Sequence, residues 1–286
     1  MSENKLLRGK PVADALTEKV IEDVKEIREK GITPVLAMLK VGNRDDDAAY
    51  QRGATNRCKK CDIDIKLVEL EEDCTQEEYI EALEKLNRDQ SVHGILCFRP
   101  LPAHIDEEVV ENIIVPEKDV DCFSPMNMAK VMFGDDTAYP PCTPMGVVEI
   151  LKYYGIDLKG KNVAVLGRSL VVGKPLSILL MNRDATVTVC HSKTENIEEI
   201  AKNSDIVVSC MGRGKMVNEK FVNEKSIVID VGINFDENGN MCGDVDMDSV
   251  IDTVHRITPV PGGVGSVTTS VLASHLVKAC KLINNL

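Results

Sequence analysis

The sequence predicts an α/β protein made of two α/β domains, and three observations support that prediction. Apolar runs of strand length alternate with stretches of helical periodicity along both halves of the 286-residue chain. Pro140, Pro141 and Pro144 interrupt this alternation near the middle. A glycine-containing turn over residues 167–173 then joins a strand to a helix. We therefore expect two domains, each with a mostly parallel sheet covered by helices, and a ligand-binding cleft between them.

The first half contains three predicted strands separated by helices. Apolar side chains share one face of a helix predicted over residues 13–30, which Gly31 ends. Thr75 and Glu78 are placed to form a capping box for a helix over residues 76–87. The other predicted elements are strands over residues 34–41, 63–68 and 94–98 and a helix over residues 46–61.

The second half begins with a helix over residues 146–154 and continues as a strand–helix–strand unit. The strand over residues 162–166 runs into the glycine turn, and Pro175 suits the first turn of the helix that follows. A second β-rich run covers residues 185–190. Further predicted elements are strands over residues 206–210 and 227–231, a loop over residues 258–265 and a final helix.

The glycine turn predicts a phosphate cradle at a helix N-terminus. Gly167, Ser169 and Gly173 form the pattern G-x-S-x-x-x-G. Glycines let the backbone approach a pyrophosphate, and free N–H groups together with the helix dipole hold its charge. The pattern departs from G-x-G-x-x-G, so a glycine-rich turn without a ligand is the alternative.

The end of the second strand favours NADP over NAD as the cofactor. NAD-binding folds usually place Asp or Glu at this point, where it accepts hydrogen bonds from the ribose hydroxyls. Here His191, Ser192 and Lys193 follow Cys190, and none of them is a carboxylate. Arg168 and Lys193 could both meet a 2′-phosphate, and His191 is expected at the adenosine end.

Composition excludes several classes of partner. The net charge of −12 argues against a nucleic-acid partner, because neutralising phosphates needs clustered Lys and Arg. No apolar run approaches the roughly 18 residues of a membrane span, and the N-terminus lacks the apolar segment of a signal peptide. We therefore expect a cytoplasmic protein. Among ten cysteines the close pair Cys58 and Cys61 has no second C-x-x-C, so we expect reduced thiols and no bound metal.

Beyond these local patterns, motifs along the chain resemble those of one enzyme family. They are GKPVADAL (9–16), PVLAMLKVG (34–42), KDVDCFSPMN (118–127), PPCTPMGVVEIL (140–151), GRSLVVGKP (167–175), IDVGIN (229–234), GDVD (243–246) and TPVPGGVGSVT (258–268). Together they resemble the methylenetetrahydrofolate dehydrogenase/cyclohydrolase family over nearly the whole length. The resemblance implies a homodimer, a folate-binding catalytic domain over residues 1–139 completed by a C-terminal helix over 267–286, and a Rossmann-type NADP-binding domain over 140–266.

The resemblance also implies roles for individual residues. Tyr50 would lie along the aminobenzoyl part of the folate, and Asp121 would hold the pterin ring. Pro261, Gly262 and Gly263 would close on substrate and nicotinamide. The implied cofactor-binding residues are Gly167, Arg168, Ser169, Gly173, His191, Ser192 and Ile233. In isolation, Tyr50 would be read as a packing aromatic, Asp121 as a turn residue and the 258–265 loop as a tight glycine turn.

Three positions of the catalytic centre depart from the family pattern. Ala54 stands where the family has Lys, Phe98 where it has Gln, and Asp47 where it usually has Ser. Oxidising the methylene bridge only removes a hydride, whereas hydrolysing the resulting methenyl cation needs proton transfers that a Lys could assist. We therefore expect oxidation of 5,10-methylenetetrahydrofolate to 5,10-methenyltetrahydrofolate without efficient cyclohydrolase activity. The alternatives are a bifunctional enzyme with a relocated base and a catalytically silent folate- and NADP-binding protein.

Overall fold

The computed structural model describes residues 3–286, which form two compact units. One unit contains the described residues up to Ala13 together with Thr143–Thr268; the other contains Asp14–Cys142 and Thr269–Leu286. The described residues up to Ala13 thus group with Thr143–Thr268 and not with the segment that follows them. The reason is backbone pairing: the N–H of Leu7 donates to Ile257 O, and the N–H of Gly9 donates to Gly262 O, both at 2.8 Å.

Helices and strands follow one another through residues 3–286, mostly in alternation. Up to residue 153 the elements are α1 (Gly9–Glu29), β1 (Val35–Val41), α2 (Asp45–Lys60), β2 (Asp64–Leu70), α3 (Gln76–Arg88), β3 (Gly94–Cys97), α4 (Glu107–Val110), α5 (Pro125–Phe133) and α6 (Cys142–Tyr153). They continue as β4 (Asn162–Leu166), α7 (Gly173–Met181), β5 (Thr186–Cys190), α8 (Ile197–Lys202), β6 (Ile206–Ser209), β7 (Ile227–Asp230), β8 (Asn234–Phe235), β9 (Met241–Cys242), α9 (Met247–Val250), β10 (Arg256–Ile257) and α10 (Thr268–Ile283). Short 3-10 helices cover Glu3–Lys5, Glu219–Phe221 and Val264–Ser266.

The first sheet is parallel, with strand order β2-β1-β3. Ala37, Leu39 and Val41 of β1 point to one face and pack in a buried cluster that includes residues of α3. Because side chains alternate along a strand, Met38 and Lys40 point to the opposite face. Both are buried there.

The second sheet is also parallel, with strand order β10-β7-β6-β4-β5. The chain passes from β4 to β5 on one side and then returns to β6 on the other side of β4. This reversal creates a topological switch point at the carboxyl ends of β4 and β6, which is where α/β sheets bind ligands. The sheet predicts a nucleotide site at the turn that follows β4.

Helix ends show where local sequence patterns decide structure. Thr75 and Glu78 form the predicted capping box: Thr75 Oγ1 accepts from the Glu78 N–H at 3.2 Å, and Glu78 Oε2 accepts from the Thr75 N–H at 2.8 Å. The helix predicted to begin at residue 146 begins earlier, at Cys142. Pro144 is tolerated in its first turn because N–H groups there have no partner within the helix.

Two further findings concern residues 3–286 as a whole. Within this range no helix is both long and apolar enough to cross a membrane. All ten cysteines are free thiols, and the described residues contain no group of three or more His, Cys, Asp or Glu side chains placed to hold a metal ion.

Candidate active site

Asp121 lies at the tip of a turn and is fixed by the start of α6. Its Oδ1 accepts a hydrogen bond from the backbone N–H of Cys142 at 2.8 Å. The N-terminal end of a helix favours a negative charge placed beside it. The side chain is half-buried, so its remaining acceptor positions can receive N–H groups of a ligand.

A second carboxylate, that of Asp119, shapes the turn that carries Asp121. Its Oδ1 accepts from the Phe123 N–H and its Oδ2 from the Ser124 N–H, both at 2.8 Å. Asn127 Nδ2 also donates to Oδ2, at 2.9 Å. Burial raises the pKa of Asp119, and these hydrogen bonds oppose the rise. Sequence reasoning missed this residue, and its place in the KDVDCF motif was the available signal.

Tyr50 and Ala54 both lie on α2, and Tyr50 contacts Phe98, which directly follows β3. The rings of Tyr50 and Phe98 meet edge to face, with centroids 6.2 Å apart. Ala54 lies one helical turn beyond Tyr50 and is fully buried. Burial raises the pKa of Tyr50 well above its ordinary value, and Cys142 and Asp121 nearby add to the rise. The phenol is therefore protonated at neutral pH, and Tyr50 lies close enough to Asp121 for the charge of that carboxylate to act on it.

The turn after β4 has the backbone form that a phosphate cradle requires. Gly167 has φ +132°, and a Cβ there would lie 2.4 Å from Cys210 O. A Cβ on Gly173 would lie 2.2 Å from Gly167 O. Ser169 Oγ accepts from the Val172 N–H at 3.1 Å and so shapes the turn from within. The Gly173 N–H also donates to Ser169 Oγ, at 3.5 Å, and the Lys174 N–H donates to Ser169 O at 3.0 Å, so the turn closes on Ser169.

The segment after β5 lies at the neighbouring carboxyl end. His191 is half-buried; its N–H donates to Thr194 Oγ1 at 2.8 Å, and its Nδ1 accepts from the Lys193 N–H at 3.2 Å. Arg168, Ser192 and Lys193 are exposed. Two cations and a hydroxyl are therefore available to a phosphate group at the point where NAD-binding folds carry a carboxylate.

The 258–265 loop and Ile233 line one cavity within the unit that contains the glycine turn. This cavity has a volume of about 260 Å³, and Pro261, Gly262 and Gly263 are among its lining residues. Gly262 has φ +101°, a conformation that side chains disfavour. Ile233 is 60% exposed, so an apolar side chain lines the opening of the cavity.

Asp244 is a further residue that sequence reasoning did not single out. Its Oδ2 accepts from the Met211 N–H at 2.6 Å and from Ser209 Oγ at 3.1 Å. Its Oδ1 accepts from the Arg213 N–H at 2.9 Å and from Asn234 Nδ2 at 3.0 Å. This fully buried carboxylate sets the loop that follows β6, directly beside the glycine turn. The GDVD motif was the signal that could have found it.

A parallel sheet with a glycine-lined turn at its switch point defines a Rossmann-type nucleotide-binding domain. The chain is therefore a two-domain α/β protein with one such domain. Residues 7–121 match the catalytic domain of tetrahydrofolate dehydrogenase/cyclohydrolase, and residues 141–284 match the NAD(P)-binding domain of the same family. The chain belongs to the tetrahydrofolate dehydrogenase/cyclohydrolase family, which confirms the predicted resemblance and fold class.

Individual relatives match along almost their entire lengths. The "Bifunctional protein FolD" of Clostridioides difficile is 57% identical over 99% of this chain and 99% of its own. The crystal structure of the FolD methylenetetrahydrofolate dehydrogenase/cyclohydrolase of Campylobacter jejuni is 38% identical with a TM-score of 0.95, covering 98% of this chain and 99% of its own. The Trypanosoma brucei FolD enzyme, solved with NADP and an inhibitor, is 36% identical with a TM-score of 0.93 and covers 100% of both chains.

Proposed function

We propose that this protein oxidises 5,10-methylenetetrahydrofolate with NADP and lacks efficient cyclohydrolase activity. One observation carries the proposal: Ala54, fully buried on α2 beside Tyr50, stands where the family resemblance implies a lysine. A methyl group cannot transfer protons. The binding residues around it are retained, which argues against a catalytically silent protein.

In this proposal Asp121 and Tyr50 bind the folate. The Asp121 carboxylate accepts N–H groups of the pterin edge while the Cys142 N–H keeps it in place. Tyr50 contributes its ring to the aminobenzoyl part, and its protonated phenol can donate a hydrogen bond but cannot act as a base near neutral pH. Folate is thereby held for a transfer that needs position rather than proton movement.

The nucleotide-binding unit fits NADP because its tight turn after β4 requires glycine at positions 167 and 173 and lies at the switch point of the parallel sheet. Gly167, Ser169 and Gly173 would hold the pyrophosphate, Arg168 and Ser192 the 2′-phosphate, and His191 the adenosine. Ile233, Pro261, Gly262 and Gly263 would border the nicotinamide. When bound, NADP supplies the hydride acceptor. The matching of this unit to a family described as NAD(P)-binding and the similarity to an enzyme solved with NADP support this assignment.

Hydrolysis of the methenyl product needs a side chain that activates water. Neither Ala54 nor Phe98 can supply one. Phe98 stands where the family resemblance implies an amide, and its ring packs against Tyr50 instead. A relocated base is the second candidate. It is favoured by two buried charged residues, Lys40 and Asp47, the first of which acts electrostatically on the second.

The direct test follows the two reactions separately on the purified protein. Methylenetetrahydrofolate and NADP should yield NADPH, and methenyltetrahydrofolate should accumulate and decay at its uncatalysed rate. A separate assay that begins from methenyltetrahydrofolate should give the same decay with and without protein. Accelerated decay would instead establish the bifunctional enzyme, and absence of NADPH formation would leave the silent binding protein.

We also propose that the protein is a homodimer, as the family resemblance implies. Light scattering on the protein as it elutes from a size-exclusion column should give a mass twice the 31.4 kDa of one chain. A mass of one chain at assay concentration would reject the dimer.

A further inference from the structure

One face of α2 carries Asp47 together with the residues of the candidate folate site. Asp47, Tyr50 and Ala54 are spaced i, i+3 and i+7, so they lie along one stripe of the helix. Asp47 is 7% exposed, while Asp45 and Asp46 in the same helical turn are exposed. The buried Asp47 carboxylate thus lies on the same helix face as Tyr50 and Ala54, whereas its neighbours Asp45 and Asp46 do not.

Contacts of the surrounding residues place Asp47 at the carboxyl edge of the first sheet. Arg44 Nη1 donates to Pro100 O at 2.7 Å, which ties the start of α2 to the loop after Phe98. The same guanidinium holds Asp47 through Nε, 3.9 Å from Oδ2. Phe98 in turn is joined to β1 by its N–H, which donates to Leu39 O at 3.0 Å. Carboxyl edges of parallel sheets are where ligands bind in α/β proteins.

Asp47 keeps acceptor capacity for a ligand. The ion pair with Arg44 is longer than a hydrogen bond. Lys40, the other cation whose charge acts on Asp47, has its Nζ 2.7 Å from Glu69 Oε1. Burial raises the pKa of Asp47, with Arg44 opposing the rise. A carboxylate desolvated in this way gains from any cation that reaches it.

The proposed reaction creates a cation, and the inference rests on that proposed function. A C–H bond of the methylene bridge breaks, its hydrogen leaves with both electrons, and a C–H bond forms at nicotinamide C4. Folate is oxidised, NADP is reduced, and no proton is released. Positive charge therefore appears on the N–C–N bridge of the folate as the hydride leaves.

We propose that the Asp47 carboxylate contacts this bridge and stabilises the positive charge that develops on it. Fixed charges aimed at the charge of a transition state act strongly in a desolvated site. The same contact would make the protein bind the cationic methenyl product more tightly than uncharged reduced folates. Asp47 is thereby a catalytic residue for oxidation, distinct from the pterin-binding Asp121.

The test compares Asp47→Asn with Asp46→Asn, which removes the same charge from an exposed position in the same turn. Asp47→Asn should lower kcat for methylenetetrahydrofolate oxidation roughly 10- to 100-fold, the loss expected when one interaction with a charged group is removed. It should weaken binding of methenyltetrahydrofolate by a similar factor and leave tetrahydrofolate binding within about 2-fold. Asp46→Asn should change none of these. Asp47→Ser serves as a second neutral variant, and thermal melting identifies any variant that fails to fold.

Several outcomes would overturn the inference. One is unchanged kcat and unchanged methenyltetrahydrofolate affinity in folded Asp47→Asn. Another is equal weakening of cationic and uncharged folates, which would indicate a structural role. A third is loss of methenyltetrahydrofolate hydrolysis with unchanged affinity, which would make Asp47 a base. If the unmodified protein oxidises no methylenetetrahydrofolate, the proposed function fails, and the two affinities still decide whether Asp47 recognises the cation.

Discussion

His275 Nδ1 lies 3.0 Å from the backbone carbonyl oxygen of Val120 and donates a hydrogen bond to it. A carbonyl only accepts, so Nδ1 carries the proton in the neutral ring. Cys142 Sγ points to the same oxygen at 3.7 Å. Val120 immediately precedes Asp121. Helix α10 therefore holds the backbone beside the carboxylate that we assign to the pterin.

Acid should destabilise the protein partly through His275. Burial lowers its pKa from the ordinary 6.5 to about 4, so the unfolded chain binds the proton more readily than the folded one. The contribution of His275 to the free energy of unfolding is fully present above about pH 6.5. It is lost as the pH falls towards 4, and the whole loss amounts to about 3 kcal/mol. Denaturant unfolding measured across this pH range should show a smaller decline in the free energy of unfolding for His275→Asn than for the unmodified protein. The Asn amide can still donate a hydrogen bond to Val120 O.

The test is the difference in pH dependence of the free energy of unfolding between the unmodified protein and His275→Asn. Burial raises the pKa of Asp230 to about 6, which stabilises the folded state as pH falls through the same window. That opposite contribution is common to both proteins and cancels. Parallel curves for unmodified protein and variant would show that His275 does not titrate as described.

Asp121→Ala should abolish most turnover by weakening folate binding while NADP affinity stays nearly unchanged. Asp121→Asn should retain part of the binding, since it keeps one acceptor and loses the charge. Asp73→Ala, at an exposed position, is the matched control. Titration of each variant with tetrahydrofolate and with NADP measures both effects. Full activity of Asp121→Ala would refute the placement of the pterin.

NADP should bind more tightly than NAD, and Arg168→Ala should reduce this difference in affinity between the two cofactors. Loss of one charge-assisted contact is worth about 1.5–3 kcal/mol, or roughly 10- to 100-fold in NADP affinity. NAD affinity should change little. Lys202→Ala removes an exposed cation elsewhere and should leave both affinities unchanged. Equal binding of the two cofactors by the unmodified protein would contradict this assignment.

Ala54→Lys alone should recover little hydrolysis of methenyltetrahydrofolate, because Phe98 offers the new amine no hydrogen bond. Ala54→Lys combined with Phe98→Gln should recover more than the sum of the single changes, since neighbouring residues couple. The rate of methenyltetrahydrofolate decay is the measurement. Ala54→Met, similar in length and uncharged, controls for the added volume. Additive or absent recovery in the stably folded double variant would argue against this reconstruction.

Gly173→Ala should remove NADP binding while tetrahydrofolate binding persists. The new Cβ would fall 2.2 Å from Gly167 O, so the phosphate turn must open. Gly146→Ala is the control: its Cβ would meet its nearest neighbour, on Val267, at 3.7 Å. That variant should bind both ligands normally. Normal NADP affinity in Gly173→Ala would show that the turn is not the cradle.

Local chemistry predicted much of the fold. The Thr75–Glu78 capping box and the Gly31 stop depend only on neighbours in sequence, and both occur as predicted. The start of α6 was predicted too late because the Cys142 N–H finds its acceptor in Asp121, 21 residues away. The periodicity of the local sequence cannot reveal a contact with a residue so far away in the chain.

The same distinction separates the predicted and missed parts of the site. The glycine turn could be recognised because its conformation demands glycine at Gly167 and Gly173. Asp244 and His275 act through backbone groups 31 and 155 residues away. An isolated Asp or His reveals no such partner, and only the folded chain brings them together.

The assignment of α10 to the unit of Asp14–Cys142 has a consequence for biosynthesis. Val271, Leu272 and Leu276 of this helix are buried, yet residues 14–142 leave the ribosome well before them. The folate-binding unit cannot finish its core during translation of its own first segment. The apolar surface that this helix covers stays exposed until the last residues have been synthesised.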